Sequence, residues 1–282
     1  MYDNFVYDYQ KKKLAGYIWD VANPRAVLCI IHGIGEYAGR YDRMAKILNE
    51  NSIAVLSMDL PGHGLSQGTR GHLGDRKELL EMITLMINRG TETYRNIPLV
   101  LYGHSMGGNI CLDYRERGPK NDVPVKYIVS GPWLKLVRDI PGPVYALAKK
   151  ASRFLPEFQI GSGCKPEDLG NFEIIKTYAT DPLVHTHITI STAGDCIDIA
   201  NGLLDGSLES NGKALDKPFL LMHGSDDKIC DVEGSRLLAK KNENNPNFRY
   251  IEWPGYYHEI HNGGPDATGE EVIDTIKNFI LS

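Results

Sequence analysis

Short, nearly unbroken apolar runs recur along the chain, and most are followed by a longer stretch with the spacing of an amphipathic helix. The runs "LAGYIWD", "AVLCIIHG", "SIAVLSMD", "IPLVLYGHS", "VKYIVSG", "KPFLLMHGS" and "FRYIEWPG" read as strands. Helices are predicted over "GRYDRMAKILNEN", "DRKELLEMITLMINRGTETYR", "GGNICLDYRERG", "EGSRLLAKKNEN" and "GEEVIDTIKNFIL". A strand with one wet face alternates apolar and polar residues, whereas a continuous apolar run is covered on both faces. Strands of that kind, joined by helical crossovers, make a mostly parallel sheet with helices on both sides. The fold class is therefore α/β.

The rhythm stops between Gly131 and about Asp216. An excursion of about 85 residues is far too long for a loop and reads as an inserted, mostly helical subdomain. The expected organisation is a core over 1–131, a helical cap insertion over 132–215, and the rest of the core over 216–282. The insertion opens apolar, with Trp133, Leu134, Leu136, Val137, Val144, Leu147, Phe154, Leu155 and Phe158, and Lys135, Arg138, Lys149, Lys150 and Arg153 lie among them. Two readings are open. Its apolar face packs on the main domain, or it roofs an acyl-chain pocket and makes transient contact with a membrane surface.

Composition narrows the function. A chain of 282 residues with 42% hydrophobic and 24% charged residues is ordinary for a globular domain with a large core. A net charge of −5 gives no reason to expect a nucleic-acid partner. No apolar run approaches the ~18 residues of a membrane span, and "MYDNFVYDYQKKKLAG" lacks the apolar core of a signal peptide. Five cysteines without a C-x-x-C pair suggest reduced thiols, hence a cytoplasmic setting, peripheral to a membrane at most.

The segment "YGHSMGGN" places Ser105 between glycines, after one apolar run and before a predicted helix. This strand-turn-helix context is what a nucleophile elbow requires. An attacking hydroxyl also needs a base, an acid that orients the base, and donors for the oxyanion. After the last predicted strand, "WPGYYHEIHN" offers His258 and His261; His258 comes first and leaves a loop before the final helix. After the preceding strand, "LLMHGSDDKICD" offers Asp226, Asp227 and Asp231. Asp227, three residues past Gly224, has room to turn back toward the base, and Asp226 is its nearest competitor. Oxyanion donors would be the backbone amides of Met106 and of Ile34 in "HGIGEYAGRY". His32, His63 and His104 read as structural hydrogen-bonders.

With "DLPGHGLSQG" and "YATDPLV" added to these motifs, the chain resembles, over almost its whole length, the monoacylglycerol lipase and lysophospholipase branch of the α/β-hydrolases. That branch also includes enzymes labelled serine aminopeptidases. The resemblance implies an eight-stranded, mostly parallel sheet with an inserted helical cap. It also implies a triad of Ser105, Asp227 and His258, oxyanion donors at Ile34 and Met106, and no metal or organic cofactor. It maps a polar network for the alcohol moiety onto Glu36, Arg40, Tyr178 and His261, and it sets Cys230 where such lipases have a modifiable cysteine. The implied activity is hydrolysis of monoacylglycerol to glycerol and fatty acid. A lysophospholipase or a general short- to medium-chain carboxylesterase is the alternative. A peptidase using Glu36 or Asp195 for a substrate amine, and a non-catalytic binder, rank lower.

Overall fold

A computed structural model describes residues 2–282. Its main sheet is built from β1 (Asp3–Tyr9), β2 (Lys12–Trp19), β3 (Ala26–Ile31), β4 (Ile53–Met58), β5 (Leu99–His104), β6 (Lys126–Ser130), β9 (Phe219–Gly224) and β10 (Phe248–Trp253). Across the sheet the order is β1-β2-β4-β3-β5-β6-β9-β10. The pairs β1/β2 and β2/β4 are antiparallel, and every other pair is parallel. The hairpin strand β1 has no counterpart among the predicted strands. Its burial is that of an edge strand, with Val6 exposed, so its residues lack the unbroken apolar signature of the central ones.

All six residues of β3, β4, β5 and β9 are buried, as two-sided coverage demands. Successive residues feed opposite layers. Ala26, Leu28 and Ile30 pack with α1 (Asp42–Asn49) and α8 (Glu270–Leu281), while Val27, Cys29 and Ile31 pack with α2 (Arg76–Thr93) and α3 (Met106–Arg117). The α2 helix starts where Asp75 accepts the amides of Lys77 and Glu78, and α7 (Val232–Lys241) starts where Asp231 accepts the amide of Glu233. Each cap satisfies a donor the helix cannot, typically worth ~1 kcal/mol.

Between β6 and β9, residues 132–215 contribute no strand to this sheet. They form α4 (Gly142–Ser152), α5 (Phe172–Ile175), α6 (Ile190–Asp205) and a two-stranded sheet of β7 (Gln159–Gly161) with β8 (His187–Thr189). The stretch from Arg153 to His187 is mostly irregular, less helical than its composition suggests. Two hydrogen bonds pin it to the loop after β3: the His185 amide donates to the Gly35 carbonyl at 2.9 Å, and the Tyr37 hydroxyl to Asp181 at 2.8 Å. Among the described residues, no helix is long and apolar enough to cross a membrane.

Topology locates the crevice. The chain leaves β3 for β4 on one side of it, then returns past β3 to β5 on the other. Loops after β3 and β5 therefore diverge at the carboxyl edge and open a cleft there. Pairing of Ile31 with Gly103 and of His104 with Ser130 brings the ends of β3, β5 and β6 level at that edge.

Candidate active site

Ser105 sits where β5 ends and α3 begins, with φ 58° and ψ −121°. A non-glycine residue in that region is strained by about 1–3 kcal/mol and persists only when its surroundings fix it. Three backbone bonds do so. The Ser105 amide donates to the Ser130 carbonyl at 3.0 Å, and the Ser105 carbonyl accepts from the amides of Asn109 at 3.1 Å and Trp133 at 3.0 Å. Neighbouring glycines make the turn possible: a Cβ on Gly103 would lie 2.2 Å from the Gly107 carbonyl oxygen, and one on Gly107 would lie 2.1 Å from that of Ile31. Only glycine fits either place.

His258, in the loop after β10, is 2% exposed and faces Ser105. The Ser105 hydroxyl donates to His258 Nε2 at 2.8 Å, and His258 Nδ1–H donates to Asp227 Oδ2 at 2.7 Å. Asp227 follows β9 and is buried, whereas Asp226 points outward and takes only the Ser225 hydroxyl. The other oxygen of Asp227 accepts the amides of Ile229 at 2.8 Å and Cys230 at 2.9 Å. Burial alone would raise the Asp227 carboxyl, but His258 and His223 outweigh it and hold it well below the usual carboxylate range. Burial likewise opposes charge on His258, and the Asp227 carboxylate overcomes it, leaving the imidazole above its ordinary value.

The Met106 amide heads α3, where the helix dipole is positive. Ile34 lines the same cleft from the loop after β3, and a Cβ on Gly33 would come within 3.0 Å of Ser105 Cβ. The backbone of that loop thus lies against the serine.

Glu36 and Tyr178 line the cleft together with Cys164, Leu169 and Glu259. Arg40 and His261 stand one layer back. The Arg40 guanidinium donates to Glu36 at 2.8 Å and to both oxygens of Glu259 at 2.5 and 2.9 Å, and it lies 4.6 Å over the Tyr178 ring. His261 stacks on Tyr41 with ring centroids 5.2 Å apart. Burial raises the Glu36 carboxyl. Glu259 feels the same burial, but Arg40 holds it ionised, far below the usual range. The space over Ser105 amounts to about 10 Å³, room for a single water. A cavity of about 410 Å³ lies alongside, behind Trp133 and Leu134, between α4 and α6.

His32, His63 and His104 each bond backbone oxygen: Gly33 at 2.8 Å, Pro61 at 2.9 Å and Ser130 at 3.1 Å. His32 Nε2 also accepts the Leu60 amide at 2.8 Å, so this ring is locked neutral. Sequence reasoning missed Glu259 and His223. Glu259 had no signal beyond its place beside His258. A histidine at the last buried turn of β9, immediately before the acid's loop, was a usable sign. Cys164 and Leu169 come from the irregular part of the insertion, where no periodicity could place them.

A family model described as Hydrolase_4, serine aminopeptidase S33, matches residues 22–264. The chain belongs to this family. It is 29% identical over 262 residues to the monoacylglycerol lipase of Mycolicibacterium smegmatis, covering 92% of this chain and 89% of that protein. The solved structure of Paleococcus ferrophilus monoacylglycerol lipase is similar, with a TM-score of 0.81 and 28% identity, over 96% of this chain and 99% of that one. A soluble variant of Saccharomyces cerevisiae monoglyceride lipase, solved with a substrate analogue, has a TM-score of 0.86 at 23% identity, over 99% and 94%. The fold of the family member described here is the α/β-hydrolase fold, with its mostly parallel eight-stranded sheet.

Proposed function

We propose that this protein is a serine hydrolase of carboxylic esters of single-chain lipids, with monoacylglycerol as the substrate and glycerol and fatty acid as the products. The observation that carries the reading is the continuous relay from the Ser105 hydroxyl through His258 to Asp227, with bonds of 2.8 and 2.7 Å. His258 Nε2 takes the hydroxyl proton as Ser105 Oγ attacks the acyl carbon, and the amides of Ile34 and Met106 receive the oxyanion. The imidazolium then protonates the departing glycerol oxygen, leaving an acyl-enzyme. Water, deprotonated by the same nitrogen, releases the fatty acid. Residues 132–215 act as the cap, and they must shift for a substrate to enter, since the cleft over Ser105 has only about 10 Å³ of space. The acyl chain takes the cavity between α4 and α6, along the wall of Trp133, Leu134, Leu136, Val137, Ile140 and Ile197, while Lys135, Asp139, Asn201 and Asp231 make the rest of its lining polar. Its volume falls in the ~300–1,000 Å³ range of small-molecule sites.

The alcohol side favours a neutral head. The cluster of Arg40, Glu36 and Glu259 carries zero or one net negative charge, and among the described residues no lysine or arginine lines the cleft. Carboxylates accept hydrogen bonds from glycerol hydroxyls, which an apolar wall would leave unpaired at ~1–3 kcal/mol each. A phosphate about 8 Å from one excess carboxylate is disfavoured by about 2 kcal/mol at an effective dielectric near 20, or about 30-fold. The kcat/KM for a monoacylglycerol is therefore expected to exceed that for the acylglycerol phosphate of equal chain length by up to that factor, reached when Glu36 is ionised and shrinking as it protonates. A panel of both lipids and graded p-nitrophenyl esters checks this, and equal rates on the two lipids would favour the lysophospholipase reading. Asp195, the other carboxylate considered for a peptide amine, lies on α6 and outside the cleft lining.

Membrane contact is part of the same proposal. α4 buries none of its residues, and Leu147 is 70% and Phe154 80% exposed beside Lys149, Lys150 and Arg153. Lys149 is paired with Asp198 at 2.7 Å, but Lys150 and Arg153 flank the aromatic and aliphatic side chains. They make this patch locally basic on a chain of net charge −5, which suits an anionic lipid surface at this face alone. Leu147→Ser with Phe154→Ser is expected to lower sedimentation with phosphatidylglycerol-containing vesicles by at least about tenfold, since each buried side chain contributes ~1.5–3 kcal/mol. Turnover of a soluble p-nitrophenyl ester stays unchanged. The five cysteines are free thiols, which fits a reducing, cytoplasmic compartment.

A further inference from the structure

Asp227 is held by two imidazoles, and the proposed mechanism uses one. His223, the penultimate residue of β9, is fully buried. Its Nε2 lies 3.1 Å from Asp227 Oδ2 and 3.1 Å from the Cys230 carbonyl oxygen. Both are acceptors, so Nε2 carries the hydrogen. On the ring's far side, Nδ1 lies 2.7 Å from the hydroxyl of Ser235, itself fully buried on α7. Every polar atom in this relay is satisfied: the Ser235 hydroxyl donates to Nδ1, and Nε2–H donates to the carboxylate oxygen that also receives His258. With Oδ1 fixed by two backbone amides, the carboxylate is clamped on both oxygens.

We infer that His223 is a positioning residue for the triad acid, fixed by Ser235, which sets both the orientation of Asp227 and the charge that Asp227 presents to His258. The inference rests on the triad reading above. Donation from His223 withdraws negative charge from the shared oxygen. That reduces the pull of Asp227 on a proton at His258. Without His223 the carboxylate keeps more charge for the imidazolium, so His258 holds its proton to higher pH, and the unprotonated base needed for attack appears later as pH rises. The other groups facing His258 stay in place in every variant: Ser105 and His104 from the β5–α3 elbow, Glu36 from the loop after β3, and Glu259 and His261 on its own loop. Glu252 on β10 is a further charged group near His223, and it too is unchanged.

The test is the pH profile of kcat/KM on a soluble p-nitrophenyl ester, for the full chain and its variants. Fluorophosphonate labelling of the unmodified protein comes first. Absence of labelling at Ser105 would sink the triad reading itself, independently of any role for His223. His223→Phe is expected to lower the plateau about 10- to 100-fold, short of the ~10⁴-fold cost of losing the acid's charge, and to move the acid limb up by about half a pH unit or more. In His223→Gln, a carboxamide nitrogen of similar reach restores the donor, so the limb returns to its original position and the plateau to within a few fold. A role confined to packing would lower the melting temperature of His223→Phe and leave the limb where it was. That result, or a Gln variant no better than Phe, overturns the inference. Should His223→Phe fail to fold, Ser235→Ala decides: it leaves Nδ1 unpaired and loosens the ring, weakening its donation to Asp227, and is expected to move the limb in the same direction by a smaller amount, so an unmoved limb counts against the proposal.

Discussion

Ser105→Ala is expected to lower kcat by about 10⁴-fold or more, to abolish fluorophosphonate labelling, and to leave the melting temperature within a degree or so of the original. The size is set by the chemistry that remains. Without Oγ no acyl-enzyme forms, and the variant can only bind the ester, polarise its carbonyl at the amides of Ile34 and Met106, and let His258 direct a water. The near-neutral effect on stability comes from the backbone. The strain at φ 58° belongs to the turn and is held by bonds to Ser130, Asn109 and Trp133, none of which uses the side chain. Alanine inherits the same strain and the same restraints. Near-normal turnover by the purified variant would dismiss Ser105 as the nucleophile. A large fall in melting temperature would instead show that the Oγ–His258 bond holds the site together.

What could be read in the sequence was whatever depends on local pattern. Buried strands such as "AVLCII" and "LVLYGH" declare themselves because both faces are covered and every residue must be apolar or bonded. Helix starts at Asp75 and Asp231 are likewise local, written in a side chain that accepts the amides ahead of it. The sequence favoured Asp227 over Asp226 by its offset from Gly224 but left both open; it is burial in the structure, Asp227 inside and Asp226 exposed, that separates them.

Other features depended on partners far along the chain. β1 is held by its hairpin with β2 and by α2, where Glu81 accepts the Tyr9 hydroxyl at 2.6 Å and Arg89 lies 5.0 Å over the Phe5 ring, so its residues need not be continuously apolar. The irregular run of the insertion is placed by backbone bonds to other loops: the Glu259 amide to the Leu169 carbonyl at 2.6 Å, and the Asn171 amide to the Asn262 carbonyl at 2.9 Å. No periodicity records such bonds. The same holds for the polar network. Glu36 and Arg40, four residues apart, were visible as a pair, but Arg40 bonds more heavily to Glu259, 219 positions away. That long-range bond decides which groups face the cleft: Glu259 comes forward, and Arg40 and His261 lie behind.

Asp227→Asn is expected to lower kcat by about 10⁴-fold, and here the geometry specifies the cause. Oδ1 of Asp227 accepts two backbone amides, from Ile229 and Cys230, so the carboxamide oxygen of asparagine must stay on that side. Its NH₂ group then occupies the place of Oδ2 and points at His258 Nδ1, 2.7 Å away in the native protein, and at His223 Nε2, 3.1 Å away. A donor facing Nδ1 forces the hydrogen of His258 onto Nε2, the nitrogen that must accept the serine proton, so the neutral base is present in the wrong tautomer. His223 meets a donor with its own N–H and must release its hydrogen or turn from Ser235, leaving buried groups unpaired at a cost of ~1–3 kcal/mol. The variant is therefore expected to be both inactive and measurably less stable, whereas Ser105→Ala is inactive and stable. Kinetics and calorimetry on the two proteins separate these outcomes. An Asp227→Asn enzyme with turnover within about tenfold of the original would mean that His258 takes its orientation from some other group.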